Sequence, residues 1–144
     1  MKIRRGTLAD LKKLLYFLNS TPELSGGAGK EDVYKRAYIR ECLVDKKGDL
    51  VLVAEDKEQI VGFLIAEIWR KKRNSFLLDL FVKPEYRKHG VATELRKEHE
   101  KICKGLGITD MNCLVLTTNK RMQKHVEDHG FKRGNKFYFY EKNL

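Results

Sequence analysis

The fold is decided by the stretch FLLDLFVKPEYRKHGVATEL, residues 76–95. Its first seven residues are almost all apolar and predict a buried strand, which Pro84 ends. From residue 91 to residue 106, apolar side chains recur at helical spacing and predict a helix. Between them lies a basic turn in which Gly90 lets the backbone bend, so that successive N–H groups can face one anion. Because the helix N-terminus adds its positive dipole end, the stretch predicts a phosphate-binding turn.

Two common phosphate-binding motifs do not fit the chain. The dinucleotide-binding pattern G-x-G-x-x-G needs three glycines, whereas this turn has one glycine followed two residues later by Ala92. A Walker loop needs G-x-x-x-x-G-K-S/T, and the only lysine preceded by glycine is Lys30. Leu24 stands there at the first glycine position and Glu31 at the hydroxyl position. We therefore do not expect an NTP site in that loop.

The turn R-x-x-G-x-A, residues 87–92, resembles the acyl-CoA pyrophosphate loop of the GNAT superfamily of N-acyltransferases, usually written Q/R-x-x-G-x-G/A. The strand before it and the helix after it are similar to the corresponding family elements. Farther along, the segment Leu114–Asn119 followed by Gly130-Phe131 resembles the second motif of the family. The element order also matches, so the resemblance covers essentially all 144 residues.

The composition predicts one globular domain, residues 1–144. Hydrophobic residues make up 42% and charged residues 35%, and no apolar run approaches the roughly 20 residues that span a bilayer. The stretch Met1–Gly6 lacks the apolar core of a signal peptide, so we expect a cytoplasmic protein without membrane association. Cys42, Cys103 and Cys113 form no C-x-x-C pair, which predicts neither a disulfide framework nor a zinc site, and we expect no metal.

The net charge of +10 leaves three kinds of partner open: nucleic acid, an acidic partner or a polyanionic cofactor. By the resemblance, part of this charge serves the phosphates of CoA. The basic run Arg70–Arg73 is typical of a solvated hairpin tip. Because the chain lacks the aromatic-basic signature of an RNA-recognition domain and any helix-turn-helix spacing, nucleic acid ranks last.

Hydrophobic periodicity predicts the element order βααβββαβαβ. This order implies an α/β fold, a mixed and mostly antiparallel sheet with helices on both faces. The later predicted elements are a second helix at Glu31–Asp45, strands at Leu50–Glu55, Gln59–Trp69 and Asn112–Thr117, a helix at Asn119–His129 and a last strand at Lys136–Glu141. Gly62 inside its strand predicts a bulge or a close backbone approach.

The resemblance implies transfer of an acetyl group from acetyl-CoA to a primary amine, by direct attack in a ternary complex. It also implies that the loop Asn19–Lys30 lies over the acceptor site, although a plain solvent loop is an equal alternative. Val82 is implied to present its N–H to the acyl carbonyl, and Asn119 to contact pantetheine, although Asn119 also fits a helix N-cap. The implied cofactor-binding residues are Phe81, Val82, Arg87, Lys88, His89, Gly90, Val91, Ala92, Thr93, Asn119 and Lys124, with Phe81 and Val82 acting through their main chain and Thr93 capping the helix.

The proton-transfer groups depart from the family pattern. Many members carry a tyrosine where this chain has Val126, and some carry a glutamate where it has Leu78. Asp79 is expected to face the side of the sheet opposite to Leu78. An amine of low intrinsic pKa needs less help, which favours an α-amino group as acceptor. The candidates that remain are Asp79 and Glu67 as base, and water, His125, Tyr138 or Tyr140 as acid.

The sequence also bears on an alternative function, on a possible metal site and on the oligomeric state. The departures at Leu78 and Val126 fit a CoA-binding regulatory domain without turnover. His125 and His129 lie four residues apart but have no carboxylate motif between them, which indicates surface or capping roles rather than a metal site. The chain is expected to be a monomer or a homodimer, because the aromatic stretch Phe137–Tyr140 offers an edge for strand pairing.

Overall fold

The computed structural model describes residues 1–24, 36–46 and 48–144. Within these residues five strands form one sheet in the order β1-β2-β3-β4-β5. Strands β1 to β4 are antiparallel neighbours, and β5 lies parallel to β4. The strands are β1 (Lys2–Arg5), β2 (Leu50–Asp56), β3 (Gln59–Trp69), β4 (Asn74–Val82) and β5 (Asp110–Cys113). The longer helices are α1 (Leu11–Ser20), α2 (Arg36–Val44), α3 (Val91–Gly105) and α4 (Lys120–Asp128).

Parts of two sequence predictions lie outside the described residues. These are the start of the second helix at Glu31 and most of the loop Asn19–Lys30, including the Walker-like segment. Across the ranges that are described, no helix is both long enough and apolar enough to cross a membrane.

The sheet separates two hydrophobic cores, and residues of β3 alternate between them. Phe63 and Ile65 belong to the core that α1 and α2 cover, whereas Leu64 and Ala66 belong to the core that α3 covers. Successive strand side chains point to opposite faces, so a strand buried on both faces reads as a continuous apolar run. The prediction of a mixed sheet with helices on both faces is confirmed.

The prediction of a last strand at Lys136–Glu141 is wrong. Residues 131–144 have no regular secondary structure, and the four aromatic side chains Phe137–Tyr140 are exposed. A β-pattern specifies alternation but not a hydrogen-bonding neighbour, and a strand forms only where its main chain is paired. Nowhere in the described parts of this chain does another strand pair with the segment.

The strand predicted at Asn112–Thr117 is shorter and starts earlier than expected. Its pairing with β4 runs from Asn74 opposite Asp110 to Leu77 opposite Cys113 and ends there. β4 itself continues for five more residues, to Val82, while residues 114–116 run on without regular structure. The two strands therefore separate at the carboxyl end of β5, and the opening between them is a feature that hydrophobic periodicity does not encode.

Candidate active site

The opening between β4 and the segment after β5 is the candidate active site. Ligands of open α/β sheets commonly bind outside the carboxyl ends of parallel strands. Here the carboxyl ends of β4 and β5 diverge after Leu77 and Cys113. The predicted phosphate-binding turn follows β4 directly, so it lies at the mouth of this opening.

The main chain of Val82 is directed into the opening. The Lys83 N–H donates to the Val61 carbonyl on β3 at 2.9 Å. Because successive residues of a strand direct their main-chain groups to alternate sides, the N–H and C=O of Val82 point away from β3. Phe81, one residue earlier, directs its main chain toward Phe63 on β3 and buries its ring in the core. The structure thus separates two residues expected to act alike, and of these two it is Val82 that presents its main chain to the opening.

A close approach of β3 fixes the position of this strand end. A Cβ added at Gly62 would lie 2.7 Å from the Phe81 carbonyl oxygen and 3.2 Å from Val91 Cγ1. Gly62 therefore allows β3, the end of β4 and the start of α3 to pack together. The prediction of a close backbone approach at Gly62 is confirmed.

The turn between β4 and α3 contains two residues with positive φ. Lys88 has φ 62° and Gly90 has φ 81°, and α3 begins at Val91. A Cβ at Gly90 would meet no atom within 4 Å, so glycine is favoured there by φ rather than by space. Lys88, His89 and Gly90 are exposed, while Val91 is buried beneath them. The N–H groups of the first turn of α3 have no intrahelical acceptor, which makes this end suited to an anion.

Arg87 ties the turn to the strand. Its Nε donates to the Val82 carbonyl oxygen at 2.9 Å, and its side chain is partly buried. The guanidinium thus lies at the mouth of the opening, next to the strand end that carries the Val82 N–H. The sequence motif identified Arg87 as a charge for phosphate, and this second role as a link to the strand was not predicted.

Two predicted helix caps have different outcomes. The Asn119 side chain accepts a hydrogen bond from the Met122 N–H at 3.1 Å, so the N-cap prediction for α4 is confirmed. Thr93 does not cap α3, because Gly90 holds the N-cap position and Thr93 is the third residue of the helix. Its hydroxyl instead lies 3.3 Å from Nε2 of His129, the residue that caps the C-terminus of α4.

His129, which caps the C-terminus of α4, links that helix to the start of α3 and lies close to His125 within α4. His129 Nδ1 lies 2.6 Å from the His125 carbonyl oxygen, and the centroids of the two imidazole rings are 4.4 Å apart. Burial lowers the pKa of His125, and the neighbouring His129 and Arg96 lower it further. His125 is therefore favoured in its neutral form and is poorly suited to donate a proton. Among the residues that the structure describes, no group of three His, Cys, Asp or Glu side chains could hold a metal.

Lys124 and Tyr138, two further candidates from the sequence, are both exposed. Lys124 is exposed and pairs with Asp128 at 2.8 Å along α4. Tyr138 belongs to the exposed C-terminal segment. Their roles in cofactor binding and proton transfer therefore stay predictions.

A bulge in β4 determines which face carries the candidate base. Ile65 pairs with Asp79 and Ala66 with Leu77, so Leu78 is the extra residue between them. Leu78 packs against the core under α1 and α2, and Asp79, opposite Ile65, lies on that same face. The expectation that the two residues face opposite sides is wrong, because the bulge interrupts the alternation. Asp79 is buried, with 6% of its surface exposed.

Glu67 lies on the same face as Asp79, since it follows Ile65 by two residues on β3. Close to it, the Tyr38 hydroxyl donates to Asp49 Oδ2 at 3.2 Å, and Asp49 Oδ1 accepts from the Ile68 N–H at 3.1 Å. Burial raises the pKa of Tyr38, and Cys42 and the carboxylates of Asp49 and Glu67 raise it further. Sequence reasoning missed Asp49, which stands in a turn before β2 without any motif around it. The face under α2 therefore carries negative charge in an otherwise basic protein.

Comparisons with known proteins agree with this geometry. The sequence model of the acetyltransferase (GNAT) family matches residues 13–131. Thialysine N-epsilon-acetyltransferase of Bos taurus is 37% identical over 121 residues, an alignment that covers 79% of this chain and 66% of the bovine enzyme. The chain thus spans about two thirds of that relative's length. Because the family model covers most of the chain, the protein belongs to the acetyltransferase (GNAT) family, and the resemblance seen in the sequence is confirmed.

Solved structures show the same fold. Aminoglycoside N-acetyltransferase AAC(6')-Iy in complex with CoA has a TM-score of 0.78 at 20% identity, covering 99% of this chain and 100% of that one. PaiA N-acetyltransferase from Thermoplasma acidophilum in complex with coenzyme A has a TM-score of 0.73 at 24% identity, covering 94% and 92%. At these identities the similarity defines the architecture of the chain.

Proposed function

We propose that the protein is an acetyl-CoA-dependent N-acetyltransferase that acts on a primary amine. The observation that carries the proposal is the opening beyond Leu77 and Cys113, into which Val82 directs its main chain and at whose mouth the turn 87–90 leads into α3. The relatives are described as N-acetyltransferases, one of thialysine and others of aminoglycosides, and all of these acceptors carry amines.

The residues at the opening fit a cofactor with a pyrophosphate and a long polar arm. The first-turn N–H groups of α3, residues 91–93, together with the exposed Lys88 and His89, would hold the phosphates. Arg87 would add its charge at the mouth of the opening. Acetyl-CoA supplies an acyl thioester that is already activated for attack. The Val82 N–H would then donate to the acyl oxygen, which stabilises the negative charge that develops there.

The amine must lose a proton when it attacks, and two carboxylates are on the face that we assign to the acceptor. Asp79 and Glu67 both lie on the α1 and α2 side of the sheet, and we keep both as candidates to accept this proton, directly or through water. The negative charge of that face also favours a cationic acceptor over a neutral one. The position at which many family members have a tyrosine is occupied by Val126, which is buried, so water is the simplest donor to the departing thiolate.

The proposal is tested first by isothermal titration with acetyl-CoA at physiological salt, where nonspecific charge attraction is partly screened. Saturable one-to-one binding is expected. The variant Arg87→Glu should abolish it, whereas Lys71→Glu, the same charge change at the exposed hairpin tip, should leave it intact. Equal loss in both variants, or no binding by the unmodified protein, would contradict the proposal.

Turnover is tested separately by following the released thiol with a panel of amines: peptide N-termini, lysine and thialysine, polyamines and aminoglycosides. Acetylation of one class of amine is expected. The rates of thiol release by Glu67→Gln and by Asp79→Asn should each be compared with the rate of Asp49→Asn. Binding of acetyl-CoA without turnover on any amine would favour the second candidate, a CoA-binding regulatory domain. That candidate is motivated by Leu78 and Val126, both of which pack as apolar residues.

Nucleic-acid binding receives little support from the basic run at the β3–β4 tip. Lys72 lies over the Trp69 ring, 5.1 Å from its centroid, and Arg73 Nε donates to the Gly107 carbonyl at 3.0 Å. Lys72 and Arg73 thus have local partners, as expected of a structural hairpin tip. Cytoplasmic location stays a prediction.

A further inference from the structure

The end of β3 that carries Glu67 has a neighbouring strand on one side only. On one side, the pairing of β2 with β3 ends at Leu50 opposite Ala66, and no strand of the described ranges continues it. On the other side, β4 pairs with β3 to its last residue, but the bulge at Leu78 separates the last four pairs from the rest of the ladder. The position of Glu67 therefore depends on more than the strand ladder.

Side chains hold both polar groups of the peptide unit that joins Glu67 to Ile68. The Ser75 hydroxyl donates to the Glu67 carbonyl oxygen at 3.1 Å. The Ile68 N–H donates to Asp49 Oδ1, also at 3.1 Å. Because the C=O and N–H of a trans peptide point in opposite directions, the two contacts hold this unit from both sides. We call Ser75, Asp49 and the peptide unit between them the peptide clamp.

Each side chain of the peptide clamp is itself held by a second residue. His99 Nε2 lies 2.8 Å from Ser75 Oγ, and both residues are fully buried. A carbonyl oxygen can only accept, so the Ser75 hydroxyl directs its proton to Glu67, and His99 Nε2 carries the proton that Ser75 accepts. The Tyr38 hydroxyl donates to Asp49 Oδ2 at 3.2 Å. The supported clamp thus runs from α3 on one face of the sheet to α2 on the other.

Since we assign the acyl oxygen to the Val82 N–H, the strand register separates the roles of the two candidate carboxylates. On β3, Gly62 lies opposite Val82 and Ile65 lies opposite Asp79. At about 3.3 Å per residue, Glu67 is about 17 Å from Gly62 along the strand, whereas Ile65 is about 10 Å from it. Asp79 is therefore the carboxylate nearer to the acyl group. Glu67 faces the part of the acceptor that lies beyond the reacting amine.

The Glu67 carboxylate is available to a cationic ligand. It is half-buried, and across the described parts of the chain no Lys or Arg forms an ion pair with it. By contrast, Glu55 pairs with Arg4 and Glu100 pairs with Arg96. A partly desolvated carboxylate binds a cationic donor more strongly than a fully solvated one does, which favours an ammonium group at this position.

We propose that Glu67 is a specificity residue that binds a cationic group of the acceptor beyond the reacting amine, and that Ser75 and Asp49 are its positioning residues. This inference rests on the proposed function and leaves Asp79 as the carboxylate nearer to the reaction. A carboxylate whose main chain is fixed binds its ligand with a smaller loss of conformational freedom. Loss of the peptide clamp should therefore raise KM for the amine and leave the affinity for acetyl-CoA unchanged.

The first test measures the peptide clamp itself, without any substrate. Ser75→Ala should speed amide hydrogen exchange of Ile68 by about fivefold, relative to the Leu64 amide in the middle of β3, although Ser75 does not contact the Ile68 N–H. Asp49→Leu should have the same effect directly. The matched control is Cys103→Ala, which removes another buried group of α3 beside Ser75 and should leave the ratio unchanged. An unchanged ratio in Ser75→Ala would overturn the clamp.

The second test compares 1,8-diaminooctane with 8-aminooctan-1-ol, which has a hydroxyl in place of the second ammonium group. The unmodified protein should have a lower KM for the diamine. Glu67→Gln should raise that KM by about tenfold and leave the KM for the amino alcohol unchanged, because one charge-assisted contact is lost. Ser75→Ala and Asp49→Leu should act in the same way, whereas Asp49→Asn keeps an oxygen for the Ile68 N–H and should retain most of the affinity. Acetylation of amines without preference for the diamine would overturn the proposal.

A double-mutant cycle shows whether Ser75 acts through Glu67. In the Glu67→Gln background, Ser75→Ala should raise KM for the diamine no further, and additive increases would overturn the positioning role. His99→Gln, which keeps an N–H donor for Ser75, should raise KM less than His99→Leu. A protein that binds acetyl-CoA but acetylates no amine would contradict the proposed function and the role of Glu67 with it. The exchange of the Ile68 amide would still decide whether the peptide clamp holds the end of β3.

Discussion

Arg87 Nε donates to the carbonyl oxygen of Val82 at 2.9 Å, so the first residue of the R-x-x-G-x-A turn holds the strand end that we propose faces the acyl group. One hydrogen bond thus joins the two residues to which we assign cofactor anchoring and carbonyl polarisation. A change at Arg87 is therefore expected to affect both the affinity for the cofactor and the rate of the chemical step.

Replacement of Arg87 by alanine should weaken acetyl-CoA binding by tenfold or more, because a charge-assisted contact of about 1.5–3 kcal/mol is removed. The value of kcat should fall as well, since Val82 loses the group that fixes its carbonyl. Calorimetry and steady-state kinetics measure the two effects. The matched control is Arg73→Ala, which removes a similar hydrogen bond from Nε to a main-chain carbonyl at the opposite end of the sheet. If Arg73→Ala lowers affinity equally, Arg87 has no special role.

Gly90→Ala should lower the free energy of unfolding by about 1 kcal/mol, because the residue has φ 81° and a Cβ is disfavoured there. Acetyl-CoA affinity should fall too, since relief of the strain moves the N–H groups of the turn. Gly105→Ala at the end of α3 is the control. Its Cβ would also meet no atom, but its φ is not in the left-handed region, so alanine should be neutral or stabilising. Urea unfolding of both variants gives the comparison.

Gly62→Ala should be more disruptive than Gly90→Ala, because its Cβ would lie 2.7 Å from the main-chain oxygen of Phe81. Overpacking of this kind costs about 1–3 kcal/mol and shifts the backbone rather than a flexible side chain. Val82 is the next residue, so kcat should fall more than the affinity for acetyl-CoA. A variant that loses stability but keeps kcat would show that the position of Val82 tolerates this shift.

The local parts of the site were predictable from the sequence. Strand β4, the bend at Gly90, the start of α3 and the cap at Asn119 each depend on residues within a few positions of one another. Their signals are periodicity, a glycine that permits positive φ and a side chain that can accept a main-chain hydrogen bond. These features were predicted at or near their observed positions.

The parts that depend on pairing with distant segments were not predictable. Asp79 shares a face with Leu78 because β4 bulges against β3, and the bulge is set by the register between Ile65 and Ala66. Residues 114–116 are strand-like in sequence but lose their neighbour when β4 diverges. The segment Phe137–Tyr140 likewise has the pattern of a strand without a partner in the described chain. Alternation in a sequence reports which face a side chain prefers and carries no information on which strand lies beside it.

The buried pair of His99 and Ser75 should make the stability of the fold depend on pH. His99 is fully buried, and its Nε2 lies 2.8 Å from Ser75 Oγ. Burial, with a contribution from Arg96, lowers the pKa of His99 from 6.5 to about 4. Between these values the unfolded chain binds a proton that the folded chain does not, so stability is fully present above pH 6.5 and decreases as pH falls toward 4.

The loss should be about 3 kcal/mol over this window, since each unit of pKa shift corresponds to about 1.4 kcal/mol. Urea unfolding at a series of pH values measures it, at one fixed protein concentration. His99→Gln should lower stability at neutral pH but flatten the pH dependence, leaving the smaller slope from His125, whose pKa burial also lowers. The matched control His89→Gln replaces an exposed histidine and should leave the slope unchanged. A slope that persists in full after His99→Gln would mean that other groups take up the proton.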